Sequence, residues 1–182
     1  MANFLDLHTR HKTFVSYHHD DEDEVDDFIN FFDHDHDIFI SRGIGASMPG
    51  DVINSDNDDY IKRRIRALYL ADSTVTLVMI GAQTWGRKFV DWEIAASLRN
   101  TATSNRNGLV AITLPSVSNF DNKKLPDRLA DNVNGANGYA RWMKYPSSTS
   151  DLAKIIDDAY DRRTSRSALA TNSRALRTRN AS

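Results

Sequence analysis

The stretch from Thr74 to Leu98, TVTLVMIGAQTWGRKFVDWEIAASL, most constrains what this chain can fold into. It opens with β-branched and aliphatic residues and breaks at Gly81. After a polar turn it resumes as a helix carrying two aromatics and one glutamate, Glu93. A continuously apolar strand is the kind buried on both faces of a parallel sheet. A strand of that kind, a short polar loop and a helix beginning beside the strand's C-terminal end form the place where α/β proteins put ligands.

The rest of the chain repeats the alternation. Lys12–Tyr17 reads as a first strand. Val25, Phe28, Ile29 and Phe32 then fall on one face of a helix, with Asp20 or Asp21 as its cap and acids crowding its first turn. Asp37–Ile40 is a second short strand. Residues 41–59 read as a long polar loop, and a loop of that length in a compact domain is more often functional than idle.

A helix over Tyr60–Leu70 would turn Ile61, Ile65, Leu68 and Tyr69 inward and Lys62, Arg63, Arg64 and Arg66 outward. The strand Ser73–Ile80, the helix Phe89–Asn100 and the strand Leu109–Leu114 follow. Residues 116–138 read as a surface loop, Tyr139–Tyr145 as an edge strand, and Leu152–Tyr160 as a last amphipathic helix capped by Ser150 or Asp151. The pattern predicts an α/β, flavodoxin-like three-layer sandwich on a mostly parallel five-stranded sheet. Its parts are an N-terminal arm at residues 1–11, a domain at 12–161 and a basic Arg/Ser-rich tail at 162–182. That tail has six arginines and no acids and reads as mobile or as a frayed helical extension.

Charge is unevenly spread. Residues 1–60 hold 15 acidic and 3 basic residues, while residues 61–182 hold 10 acidic and 20 basic. Two solvated faces account for this, and so does head-to-tail self-association of unlike faces, which makes a homo-oligomer one expected partner. The basic residues form no stripe with interleaved aromatics, so no nucleic-acid partner is expected. The absence of cysteine excludes disulfides, thiolate zinc sites and a cysteine nucleophile. No apolar run reaches membrane-spanning length and no secretory signal is visible, so a cytoplasmic protein without a membrane partner is the simplest expectation.

In such a sheet the first three strand ends share one rim: Ser16-Tyr17-His18-His19, Ser41-Arg42-Gly43 and Gly81-Ala82-Gln83-Thr84-Trp85. Glu93 follows the third by about two helical turns. From the residues alone it has two readings. It is a partly desolvated carboxylate able to stabilise an oxocarbenium ion or attack a sugar C1, or it is a helix-surface acid paired with Arg87 or Arg99. The runs His18-His19-Asp20-Asp21 and Asp33-His34-Asp35-His36-Asp37 invite a metal reading. Neighbouring residues point in different directions, however, and neither spacing is that of a zinc or EF-hand site, so no metal is expected. The RGIGAS glycines do not fit the dinucleotide fingerprint. A receiver-domain reading fails because Gly81 stands where a phosphate-accepting aspartate is needed.

Three motifs together carry a family resemblance: Phe14-Val15-Ser16-Tyr17-His18, Ile80-Gly81-Ala82-Gln83-Thr84, and an aromatic, Phe89, four residues before Glu93. With the segment SDNDDYIKRRI they resemble the TIR-like proteins of bacterial defence, above all the TIR-like subunit of the Thoeris antiphage system. Most TIR enzymes have tryptophan where this chain has Phe89, and residues 41–59 do not match a typical TIR loop. The resemblance implies a TIR-like variant of the flavodoxin-like fold and cleavage of the nicotinamide–ribose bond of NAD⁺. NAD is then a substrate, and no cofactor is implied. It further implies a phage trigger, a (cyclic) ADP-ribose nucleotide messenger and a separate effector. Glu93 would be catalytic, and Phe14, Ser16, Tyr17, His18, Gln83, Trp85 and Phe89 would bind substrate. The competing expectation is a non-catalytic TIR-like module acting by homotypic assembly.

Overall fold

The computed structural model describes residues 8–43, 49–121 and 123–181. Five strands, β1 (Lys12–Ser16), β2 (Ile40–Arg42), β3 (Val75–Ile80), β4 (Gly108–Thr113) and β5 (Arg141–Met143), form one sheet in the order β2-β1-β3-β4-β5. Every pairing is parallel. All six residues of β3 and all six of β4 are buried, as the continuous apolar run required.

Helices cover both faces. Alternation along β3 sends Val75, Leu77 and Met79 to one side, where they pack with α1 (Glu22–Ile29) and α6 (Thr149–Ser165). It sends Val78 and Ile80 to the other side, against α4 (Lys88–Ser97) and the short α5 (Asp127–Ala130). Phe14 of β1 lies on that second side, among α2 (Gly50–Ile53), α3 (Asp58–Ile65) and α4. The flavodoxin-like prediction therefore holds. Chain order runs outward in opposite directions from the β1–β3 pair, so the crevice at a topological switch point opens beyond Ser16 and Ile80.

Several local expectations shift. β2 begins three residues later than predicted, with Asp37 in a left-handed turn at φ 55° just before it. After Ile65 the helix widens into a π turn over Arg66–Leu70. The extra residue per turn rotates the face, so Leu70 is buried and Leu68 is exposed. Arg66, expected outward, is buried with its guanidinium on Ser104 Oγ at 2.7 Å and on the Ala96 and Asn105 carbonyls. The cap of α6 is Ser148, which accepts from Asp151 N at 3.1 Å and stands just ahead of the predicted caps, Ser150 or Asp151. Within the expected 41–59 loop lies α2, while residues 44–48 fall outside the described residues. Of the expected arm, residues 1–7 also fall outside, and Arg10 bonds the Phe39 carbonyl and Asp33 at 2.9 Å each.

The larger correction concerns the C-terminal residues. They were expected to be mobile or a frayed helical extension; α6 does run on to Ser165, and the residues beyond it lie as a strap across α4. Arg128, on α5, is 1% exposed and pairs with Asp91 of α4 at 2.9 Å. Its remaining donors reach Asn172 Oδ1 and the Arg174 and Ala175 carbonyls. Leu176 is buried beside Phe14 and Trp92. Arg177 N donates to Asp91 Oδ2 at 2.9 Å, and its carbonyl accepts from Trp92 Nε1 at 2.8 Å. Asn180 Oδ1 accepts from Lys88 N at 2.8 Å and so caps α4 from a distant part of the chain.

Removing one member of a buried ion pair strands the other charge. Asp91→Ala is expected to lower unfolding free energy by about 3–5 kcal/mol in urea titrations. A loss under about 1 kcal/mol would mean that water already reaches the pair.

Candidate functional site

β1 ends at the crevice with Ser16, 1% exposed and on the same face as Phe14. Across it, α4 presents Glu93 from its middle turn. Ser16 Oγ donates to Glu93 Oε2 at 2.6 Å. The backbone carbonyl of Glu93 accepts from Ser97 Oγ at 2.8 Å. Ser97 Oγ is in turn 2.7 Å from Thr76 Oγ1, which accepts from Asn107 Nδ2 at 3.1 Å. A buried polar ladder from β3 and the start of β4 thus holds the helix turn that carries the carboxylate.

Protein atoms crowd Glu93, although part of its surface stays open to solvent. Burial pushes its pKa up from 4.5 to about 7, and the Ser16 hydrogen bond pulls the other way. No charged group contributes to that shift. The surface-acid reading therefore does not describe Glu93: its partner is a hydroxyl, and Arg99 reaches the Asp59 carbonyl instead. Tyr69 stands close enough for the Glu93 charge to raise its own pKa, after burial as the larger cause.

The other predicted residues divide. Phe14 lies beneath Ser16 at 1% exposure, packed against α3 and α4, so it supports the crevice and offers it no open surface. Tyr17 packs towards α1 and α6, on the opposite side of the sheet, so the strand alternation carries it away from Glu93. Its hydroxyl meets Glu22 Oε1 at 3.4 Å. His18 is buried at the rim, where Nδ1 accepts from Asp20 N at 3.3 Å. Burial, and then the Arg87 charge, lower its pKa.

Gln83 is exposed in the loop after β3. Trp85 is half-buried under Lys124 Nζ, 4.7 Å from the ring centre. Phe89 is 39% exposed, one turn before Glu93 on the same helix face, and meets Trp92 edge-on at 5.6 Å. Phe89, with Lys88 Nζ 5.0 Å from its ring centre, and Trp85 are the aromatics nearest the rim.

The structure adds residues that the sequence did not single out. Tyr69 was expected in the core of its helix, and the π turn carries it to the Glu93 side. Thr76, a polar position in an otherwise apolar strand, was the one available sign of the ladder under Glu93. Asp21 sits over Gly81, where an added Cβ would force its carboxylate to shift. Thr84 Oγ1 donates to Asp21 Oδ2 at 3.3 Å and accepts from Gly81 N at 2.9 Å, which fixes the turn after β3. His18, His19 and Asp20 each place one ligand atom within 4.8 Å of the others, but His18 Nδ1 is already committed to Asp20 N.

The parallel β2-β1-β3-β4-β5 sheet, with a half-buried glutamate on the helix after β3 facing a serine at the end of β1, fits a flavodoxin-like, TIR-like domain. A model of the family described as "Thoeris protein ThsB, TIR-like domain" matches residues 14–119, and the chain belongs to that family. The match runs from within β1 to beyond β4 with every rim residue named above except Lys124, and it links the chain to Thoeris antiphage defence. A search of curated proteins returned no match. Among the described residues no helix is long and apolar enough to cross a membrane.

Because folding raises the pKa of Glu93, the protonated form is favoured in the folded chain. This contribution is complete below pH 4.5 and is lost as pH rises through about 7. Relative to Glu93→Gln, the wild type should therefore lose roughly 2–3 kcal/mol of stability between pH 5 and pH 8 in parallel urea titrations. Identical pH profiles for the two proteins would contradict the raised pKa.

Proposed function

We propose that the domain cleaves the nicotinamide–ribose bond of NAD⁺ and that Glu93 is the catalytic carboxylate. One observation carries the reading: Glu93 is crowded by protein, hydrogen-bonded by Ser16 alone through its side chain, and faced by no cation among the described residues. Such a carboxylate is costly to ionise in the empty site. The cationic nicotinamide riboside of NAD⁺ supplies the missing counter-charge and lowers the Glu93 pKa as it binds. Ligand and carboxylate then stabilise each other in the place where positive charge moves to C1 in the transition state.

In the reaction the C1–N bond breaks and its electron pair stays on nicotinamide, which leaves neutral and needs no general acid. The Glu93 carboxylate stabilises the oxocarbenium ion, with Ser16 Oγ fixing its orientation. Water, or a nucleophile within the ADP-ribose itself, then forms the new bond at C1 and loses its proton to solvent. The first gives linear ADP-ribose and the second a cyclic isomer, the messenger expected to reach a separate effector. Phe89 and Trp85, each with a lysine ammonium over its ring, are the aromatics at the rim against which a nicotinamide or an adenine would pack once that lysine moves aside. Family membership supports this reading through the link to Thoeris antiphage defence, and on this reading a phage trigger precedes release.

Nicotinamide release by purified protein, with phage lysate as the trigger, should rise with pH as Glu93 ionises and fall at least about a hundredfold in Glu93→Gln. Ser16→Ala removes the one contact that favours the ionised form, so its rising limb should move to higher pH with the fold intact. Phage protection retained in full by Glu93→Gln would refute the enzyme and favour the homotypic assembly module.

A further inference from the structure

From the geometry of the rim we infer that Arg87 receives the diphosphate of the dinucleotide and fixes which way round it lies. This rests on the NAD⁺ reading and extends it to a residue with no role so far.

Arg87 immediately precedes α4 in extended conformation, at φ −85° and ψ 126°. Its side chain is half-buried, and its Nε is shielded from solvent without a hydrogen-bond partner. Among the described residues its guanidinium makes no hydrogen bond, ion pair or ring contact. The other partly buried arginines all find one. Arg128 and Arg162 hold carboxylates and carbonyls, Arg106 the Ser167 carbonyl, and Arg163 the Tyr160 ring. Bringing a cation this far out of water without a partner is unfavourable unless a ligand completes the site.

The direction in which Arg87 acts is also visible. Its charge bears on His18 and Asp21, both in the turn after β1, and is not among the influences on Glu93. Burial already disfavours a charged His18, and Asp21 is occupied by Thr84. A second cation, Lys124, lies over Trp85 in the turn next to Arg87. The rim is therefore polarised, with a carboxylate free of any ion pair among the described residues at Glu93 and, by the 84–87 turn, two cations beside the Thr84-bonded Asp21. Six residues of helix separate the two ends, roughly 9 Å along the axis.

A ligand that fits must carry positive charge at one end and, a ribose away, an anion with several acceptor oxygens. NAD⁺ has that layout: the pyridinium ribose goes to Glu93 and the diphosphate to Arg87. A planar guanidinium meets a phosphate through paired N–H donors, so it fixes orientation as well as adding affinity. Held in reverse, the diphosphate would face Glu93 and be repelled.

Binding to the inactive Glu93→Gln protein, by calorimetry with NAD⁺ and with nicotinamide riboside, which lacks phosphate, tests this. Adding Arg87→Ala should weaken NAD⁺ about tenfold or more and leave nicotinamide riboside within about twofold, with Arg87→Lys in between. NAD⁺ bound equally with and without Arg87, or both ligands weakened alike, would overturn the inference while leaving the proposed function standing. Failure of the protein to bind NAD⁺ at all, with no nicotinamide released by wild type, would overturn both.

Discussion

One hydroxyl hydrogen bond, Ser16 Oγ to Glu93 Oε2 at 2.6 Å, joins the end of β1 to the middle of α4 and closes the crevice of the sheet over a carboxylate. The proposed chemistry depends on that contact being made where protein crowds the carboxylate and, among the described residues, no cation pairs with it. Burial alone would leave Glu93 a neutral acid, and a salt bridge would leave it permanently ionised and neutralised. A single neutral donor holds its pKa near 7, where a cationic ligand can tip it. The Thr76–Ser97 ladder and the Asp91–Arg128 pair serve that contact by fixing the helix that presents the carboxylate.

The strap gives the C-terminal arginines a purpose that their composition concealed. Backbone groups of Arg174, Ala175 and Arg177, together with the Asn180 side chain, satisfy polar atoms that α4 and α5 would otherwise leave buried and unpaired. Gly86, at the turn before α4, accepts from Ala181 N at 2.9 Å, so the chain's last described residue touches the loop that bears Trp85 and Arg87. A disturbance of the strap is thereby coupled to the geometry of the rim.

The sheet, its order and the rim were legible because burial imposes a period. Continuous apolar runs marked β3 and β4, and the Val25–Phe32 spacing marked α1. Glu93 stood out as the one glutamate beside aromatics on the helix after β3, although its residues alone allowed a surface ion pair. What escaped was set by tertiary contacts that leave no periodic trace. The π turn at Arg66–Leu70 reversed the exposure of Leu68 and Arg66, and strand alternation took Tyr17 off the site while Ser16 stayed on it. An arginine-rich tail looks solvated until Asp91, buried on another element, is seen to collect Arg128 and Arg177 N.

Mass spectrometry of nucleotides from phage-infected cells tests the central claim most directly, because the native trigger is present. Cells carrying the wild-type domain should lose NAD⁺ and accumulate nicotinamide with an ADP-ribose-type nucleotide, and cells carrying Glu93→Gln should show neither. An unchanged nucleotide pool in protected wild-type cells, or the same products from Glu93→Gln, would contradict it.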